Sequence, residues 1–279
     1  MFRRRLAALT GLWLIGQSLG AMAASPAPDM KLWRLDCGVI QEDHLGQYSD
    51  TFAYEGRTKR LPVSCYLIRH GQSWMLCDTG LPDADLGLPL RGPGAKGETL
   101  TTLLVDQLAR LGVAPAQIDL IGISHYDYDH TGQTAHFPGA RVLLGQADIE
   151  ALRRPGHPDA ALLAHWLSGQ GKLDPVSGDR DVFGDGTVIM LDLPGHTPGH
   201  HGLLVRLADR GPVLLSGDLA HFRENYDTNG VPQFNVDRSR SLASLDRFKK
   251  IAANLHATVI IQHEENDIAV LPAFPDFAH

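Results

Sequence analysis

Thiols are scarce in this chain. Three cysteines, Cys37, Cys65 and Cys77, occur in 279 residues, and none lies in a C-x-x-C pair. That excludes a thiolate metal site. Basic residues are outnumbered: 25 Lys and Arg stand against 32 Asp and Glu, for a net charge of −7. A chain this acidic has no footprint for a phosphate backbone, which excludes nucleic acid as a partner. Aromatic residues make up only 7% and charged residues 20%, and the mean hydropathy is −0.12. The 43% apolar content is enough for a core, so neither a membrane protein nor a disordered chain is indicated. What the sequence has in excess is histidine, with fourteen copies. Histidine is the commonest metal ligand and acid–base side chain, so the placement of these fourteen carries the functional question.

Residues 1–23 hold a basic start (Arg3, Arg4, Arg5), an apolar run from Leu6 to Leu19 and the small-residue site Ala21-Met22-Ala23. This is the layout of a secretory signal cleaved after Ala23, which predicts a periplasmic or secreted protein. The run is short and broken by Gly11, Gly16, Gln17 and Ser18, which argues against a membrane anchor. Loss of the three arginines takes the net charge from −7 to −10. The mature part, 24–279, reads as one domain without membrane contact. In the expected oxidising compartment an odd cysteine count leaves at least one thiol unpaired. Cys65 and Cys77 flank a turn at His70–Gln72 and could face each other, but the three cysteines read best as small buried hydrophobes.

Strands are expected at Leu61–Ile68, Ser73–Asp78, Ile118–Ser124, Arg141–Leu144, Val188–Leu193, Gly202–Leu207, Val213–Leu215 and Thr258–Ile261. Helical spacing marks Leu100, Leu103, Leu104, Leu108 and Leu111, then Gln146–Arg153, then Leu242, Leu245, Phe248, Ile251 and Leu255. Strands interleaved with helices predict an α/β layered fold, and the early hairpin predicts mixed rather than wholly parallel sheets. The run GPGAKGET resembles a phosphate loop but lacks the Gly-Lys-Ser/Thr ending, so nucleotide binding is rejected.

The chemistry lies where strands stop. The strand at 118–124 runs into His125-Tyr126-Asp127-Tyr128-Asp129-His130, that at 188–193 into Pro194-Gly195-His196, that at 213–215 into Ser216-Gly217-Asp218, and that at 258–261 into Gln262-His263. One histidine or aspartate at a strand end is ordinarily structural. Four such ends predict one rim that collects seven donors: His125, Asp127, Asp129, His130, His196, Asp218 and His263. Imidazole and carboxylate without thiol suit a divalent transition metal. Seven donors exceed one tetrahedral ion and fit two ions about 3.5–4 Å apart with a bridging carboxylate. His125, Asp127 and Asp129 would project alike in an extended segment, and a tight turn there would deal one to each ion. A serine elbow is excluded, because Gly122-Ile123-Ser124-His125-Tyr126 lacks the G-x-S-x-G pattern.

At these residues the chain resembles the metallo-β-lactamase fold superfamily, whose signature H-x-H-x-D-H stands here as HYDYDH. Asp78-Thr79-Gly80 also matches the family pattern. Within the superfamily, PGHTPGHH at 194–201, SGDLAHFRENY at 216–226 and IIQHEEND at 260–267 resemble the N-acyl-homoserine lactonases. The resemblance implies a four-layer αββα sandwich with two divalent metal ions at one edge, of which zinc is the expected metal. By position, His125, Asp127 and His196 would hold one ion, Asp129, His130 and His263 the other, and Asp218 would bridge. It implies opening of a lactone ring by a metal-bridging hydroxide, with hydrolysis of another ester, a thioester or a β-lactam as the alternative. A periplasmic metal- or ligand-binding protein is the non-enzyme alternative. Asp129 would also handle a proton. Two positions depart from the family pattern: Asp127 replaces the second signature histidine, and His221 replaces a tyrosine three residues past the bridge. His221 would donate to the developing oxyanion in place of the phenol. The third carboxylate at Asp127 would tilt one site toward Mn or Fe.

Overall fold

The longest strand among the described residues, β1 (Met30–Glu42), is absent from the strands expected from the sequence. Its two faces are both apolar: Leu32 packs between the sheets while Trp33, Leu35 and Cys37 pack against helices. An alternation runs only through Trp33-Arg34-Leu35-Asp36-Cys37, and the adjacent apolar pair Leu32-Trp33 breaks it on the N-terminal side. A register shift between Asp36 and Val39, at Gly38, further breaks the period. The computed structural model describes residues 28–91 and 97–279. The expected signal at 1–23 and part of the glycine-rich run at 92–99 lie outside the described residues.

After β1 come β2 (Lys59–His70), β3 (Ser73–Cys77), β4 (Glu98–Thr99), α1 (Leu104–Arg110), β5 (Leu120–Gly122), α2 (Tyr128–Thr131), β6 (Arg141–Gly145), α3 (Gln146–Leu152), α4 (Ala164–Leu167) and β7 (Leu173–Val176). The second half holds β8 (Arg180–Asp181), β9 (Val188–Asp192), β10 (His201–Leu207), β11 (Gly211–Leu215), α5 (Arg223–Thr228), α6 (Arg238–Leu255), β12 (Thr258–Ile260) and α7 (Glu265–Ile268). Two mixed sheets result, ordered β4-β1-β2-β3-β5-β6-β7 and β12-β11-β10-β9-β8. In the first, β3, β5, β6 and β7 run parallel, whereas β1, β2 and β3 form an antiparallel meander. In the second, only β11 and β12 are parallel. The short apolar strands Leu120–Gly122 and Thr258–Ile260 stand where the sequence places them; the first expected helix is shorter, with Leu100 left outside it.

Burial follows four layers. Ile68, Met75, Leu203, Val205, Leu215 and Ile260 fill the space between the sheets. Leu67, Leu104, Leu108, Ile121, Ile149 and Trp166 join the first sheet to α1, α3 and α4. Leu191, Leu204, Leu214, Leu245 and Phe248 join the second sheet to α6. The expected αββα sandwich is the observed one, and its layers are held by apolar burial on both faces of each sheet.

The cysteines differ from the expectation. Cys37 and Cys65 form a disulfide between β1 and β2, and Cys77 is free and buried. The cause is register: Tyr66, not Cys65, lies opposite Cys77, so Cys65 and Cys77 project to opposite faces. Leu35 lies opposite Cys65, which puts Cys37 on the same face, one bulge away. Oxidised protein, once unfolded, should therefore titrate one thiol. Replacing both Cys37 and Cys65 by serine should cost roughly 3–4 kcal/mol on the loop-closure scale. Urea unfolding checks it; three titratable thiols and an unchanged midpoint would remove the disulfide.

Candidate metal centre

The four expected strand ends do meet, although at the shared rim of two sheets rather than of one. β5 belongs to the first sheet, and β9, β11 and β12 belong to the second. The rims are pressed together: a Cβ on Gly145, at the end of β6, would lie 2.0 Å from the carbonyl of Gly199. That approach seats the 193–200 loop, and His196 with it. After β5 the chain is extended only as far as Asp127 and then turns into α2. The turn separates His125 and Asp127 from Asp129 and His130, which is how one hexapeptide faces two ways. Asp218 sits on a single helical turn directly after β11.

The two oxygens of Asp218 divide the donors. Around Oδ2 lie Nε2 of His125 at 3.8 Å and Nε2 of His196 at 3.7 Å. Asp127 Oδ2 joins them, 3.3 Å from the first nitrogen and 3.1 Å from the second. These three form the first group. Around Oδ1 lie Nε2 of His130 at 3.3 Å and Nε2 of His263 at 3.1 Å. Asp129 Oδ2 completes the second group, 3.6 Å and 3.7 Å from those nitrogens. All seven expected donors are thus brought together. His130 Nε2 and Asp218 Oδ1 are buried and have no hydrogen-bond partner. Buried polar atoms are rarely left so, and a converging set of imidazole and carboxylate atoms at these spacings fits divalent cations. His125, Asp127 and His196 could hold one, and Asp129, His130 and His263 another. His221 is also here, buried, with Nε2 3.1 Å from Asp218 Oδ2.

Outer hydrogen bonds aim the rings. Nδ1 of His125 meets Ser124 Oγ at 3.0 Å, Nδ1 of His130 meets Asp78 Oδ2 at 2.8 Å, Nδ1 of His196 meets Asn235 Oδ1 at 3.0 Å, and Nδ1 of His263 meets the Pro62 carbonyl at 2.9 Å. Each leaves Nε2 to point inward. Asp78, in the left-handed region at φ 59°, also accepts from Ser124 N and Oγ. His200 accepts the Asp218 N–H at Nε2 (2.9 Å) and lies 3.0 Å from the Leu193 carbonyl through Nδ1, which positions the bridge from behind. Asp148 accepts from Thr197 Oγ1 and Gly199 N and fixes the His196 loop. Asn235, His200 and Asp148 escaped the sequence reading. His200 alone left a trace, as the second histidine of PGHTPGHH.

The electrostatics follow from burial and proximity. Burial opposes charge on His130, yet the carboxylates of Asp218, Asp129 and Asp78 hold its imidazolium form well above the usual range. Burial is likewise overcome at His196, which Asp127 pushes up to about 9, and at His263, raised by Asp218. Burial disfavours ionisation of Asp127 and Asp218, but the surrounding imidazoles hold both carboxyls well below the carboxylate range. Burial wins at His221, lowered to about 4, and at His125, lowered also by His130. Asp148 is pushed up to about 7 by burial. Without a cation the cluster is therefore a network of imidazolium and carboxylate.

A cavity of about 150 Å³ opens over the cluster. Ile40, Leu61, Tyr48 and Phe234 supply apolar walls, and Glu42 and Tyr128 supply polar ones. None of the described residues lining it is lysine or arginine. A larger cavity of about 250 Å³, between β1, β2 and the C-terminal segment, contains none of the clustered donors.

Comparison with known proteins agrees with this geometry. The sequence profile of the metallo-beta-lactamase superfamily matches residues 58–263. An N-acyl homoserine lactonase of Bacillus sp is 29% identical over 255 residues, covering 88% of this chain and 98% of that protein. N-acyl homoserine lactonase AttM of Rhizobium radiobacter is 30% identical over 188 residues, covering 62% of this chain and 68% of that protein. Among solved structures, a variant of AiiA from B. thuringiensis with N-decanoyl-L-homoserine at its active site superposes with a TM-score of 0.75. Its identity is 25%, over 88% of this chain and 98% of that one. The chain belongs to the metallo-beta-lactamase superfamily.

Proposed function

We propose that this chain is a metal-dependent hydrolase that opens the lactone ring of N-acyl homoserine lactones, and so quenches signals of that class. The observation that carries the reading is the split bridge: one buried carboxylate, Asp218, gives a separate oxygen to each of two donor groups at the floor of one cavity. Two divalent ions, zinc by preference, fit it, held by His125, Asp127 and His196 on one side and by Asp129, His130 and His263 on the other. When bound they supply Lewis-acid polarisation of the ester carbonyl and activation of water at neutral pH. Relatives named N-acyl homoserine lactonase, aligned along nearly the whole described chain, support the substrate.

The cavity itself favours a neutral substrate. β-Lactam antibiotics carry a ring carboxylate and coenzyme thioesters carry phosphates, and both are best received by a basic side chain beyond the ions that act on the scissile bond. The described lining offers no lysine or arginine, and Glu42, which lies outside both donor groups, adds negative charge. An uncharged lactone with an apolar tail finds apolar walls for that tail in Ile40, Leu61, Tyr48 and Phe234. Asp129 borders both the cavity and the second donor group, so its carboxylate is placed to carry a proton during ring opening. The Cys37–Cys65 disulfide supports export to an oxidising compartment, in keeping with the basic, apolar start of the chain.

Three outcomes follow. A panel of acyl-homoserine lactones, γ-lactones, thioesters and β-lactams should show kcat/KM highest for the first class and at least about 100-fold lower for the anionic ones, the scale of an uncompensated buried charge. Equal rates on β-lactams would sink the substrate reading, and lactone binding without turnover would favour a binding protein. Asp218→Asn should lose metal and activity together; full metal content with full turnover would remove Asp218 from the bridge. Loading should also release protons. His196, pushed up to about 9 by Asp127, is protonated at neutral pH without a cation, and His130 and His263 are raised in the same direction, so affinity should climb as pH rises toward about 9. Calorimetry in buffers of different ionisation enthalpy should count at least one proton released per chain at pH 7; a count of zero would contradict the charge state drawn here.

A further inference from the structure

His221 lies within the donor cluster but outside both groups assigned above. We propose that His221 is a further ligand of the first ion, giving that ion a third imidazole beside His125 and His196; this rests on the two-ion reading. The argument is a symmetry about Asp218. His263 Nε2 stands 3.1 Å from Oδ1, and His221 Nε2 stands 3.1 Å from Oδ2. The two rings are near parallel, 15° apart with centroids 5.7 Å apart, one to each oxygen. His263 is a donor of the second group, and His221 holds the matching position toward the first. Nitrogen of His196, nitrogen of His221 and oxygen of Asp218 all lie within 4.8 Å of one another, as the members of the other donor groups do.

The setting leaves the ring one working atom. His221 is 3% exposed. Its Nδ1 is buried without a hydrogen-bond partner, and the ring is held edge-on by Tyr48 at 4.9 Å and Phe234 at 5.5 Å. Aromatic packing thus does for His221 what the hydrogen bonds at Nδ1 do for the other four rings: it fixes the plane and leaves Nε2 toward the centre. With Asp127 contributing oxygen, the first ion would draw on three imidazoles and two carboxylates, against two imidazoles and two carboxylates for the second. The larger, more nitrogen-rich donor set distinguishes the two positions chemically. A nitrogen that binds the ion gives up its lone pair to it and no longer serves as a free donor to a substrate oxyanion, so the two roles are separable.

The test measures metal, not turnover. His221→Phe keeps a ring between Tyr48 and Phe234 and removes the donor; His221→Gln serves the same purpose should the first variant not fold. Stepwise zinc affinities from competition with a chelator, together with the visible spectrum of the cobalt-loaded protein, are compared with wild type. The expected result is a loss of at least about tenfold in one affinity with the other unchanged, and altered cobalt bands. Two wild-type affinities with an unaltered cobalt spectrum would overturn the proposal and leave His221 as a hydrogen-bond donor. A wild type that binds one ion only would also overturn it. Lactone hydrolysis by the wild type is scored separately, so failure of the lactonase reading leaves the metal count standing.

Discussion

The centre of this protein is organised by one buried carboxylate. Asp218 is 3% exposed and lies within reach of five imidazoles, and burial alone would strongly disfavour its charge. The charge is sustained because each oxygen meets its own set of nitrogens. Separating those sets requires donors from β5, β9, β11 and β12, hence from two sheets, hence a sandwich with its rims in contact. The fold is, in this sense, the device that delivers opposite faces of one carboxylate to different partners.

Around that carboxylate the scaffold spends its polar groups on direction. Ser124, Asp78, Asn235 and the Pro62 carbonyl each take an Nδ1, and His200 takes the Asp218 N–H. Asp78 serves twice, since it also accepts from both Ser124 groups. The Cys37–Cys65 disulfide lies beside this turn: a Cβ on Gly80 would be 2.5 Å from Cys37 Cβ. The brace between β1 and β2 therefore packs against Gly80, two residues past the Asp78 that orients His130.

The donor set was legible in the sequence because each donor follows a short apolar strand, a local pattern that survives without knowledge of the sheet. The turn at Asp127 was legible for the same reason, since HYDYDH in extended form could not serve two ions. What was hidden was long-range. Asn235 sits in a loop 39 residues past His196, and nothing local ties the two. Asp148 reads as an ordinary first-turn acid of α3, and only the tertiary approach of Gly199 reveals its task. β1 was missed because its alternation, Trp33-Arg34-Leu35-Asp36-Cys37, is cut short by the Leu32-Trp33 pair and by the bulge at Gly38, and the disulfide because pairing depends on a one-residue register and that bulge.

The cavity lining bears on what holds the product of the proposed reaction. A neutral ring enters, and cleavage leaves a carboxylate beside Glu42, Asp127 and Asp129, with no lysine or arginine among the described lining residues to retain it. Like charges at close range repel most where water is scarce. Glu42 therefore opposes the new carboxylate, while the two ions proposed beneath it would attract it. With no lysine or arginine among the described lining residues, the ions alone would hold the opened molecule, and metal occupancy would set how long it stays.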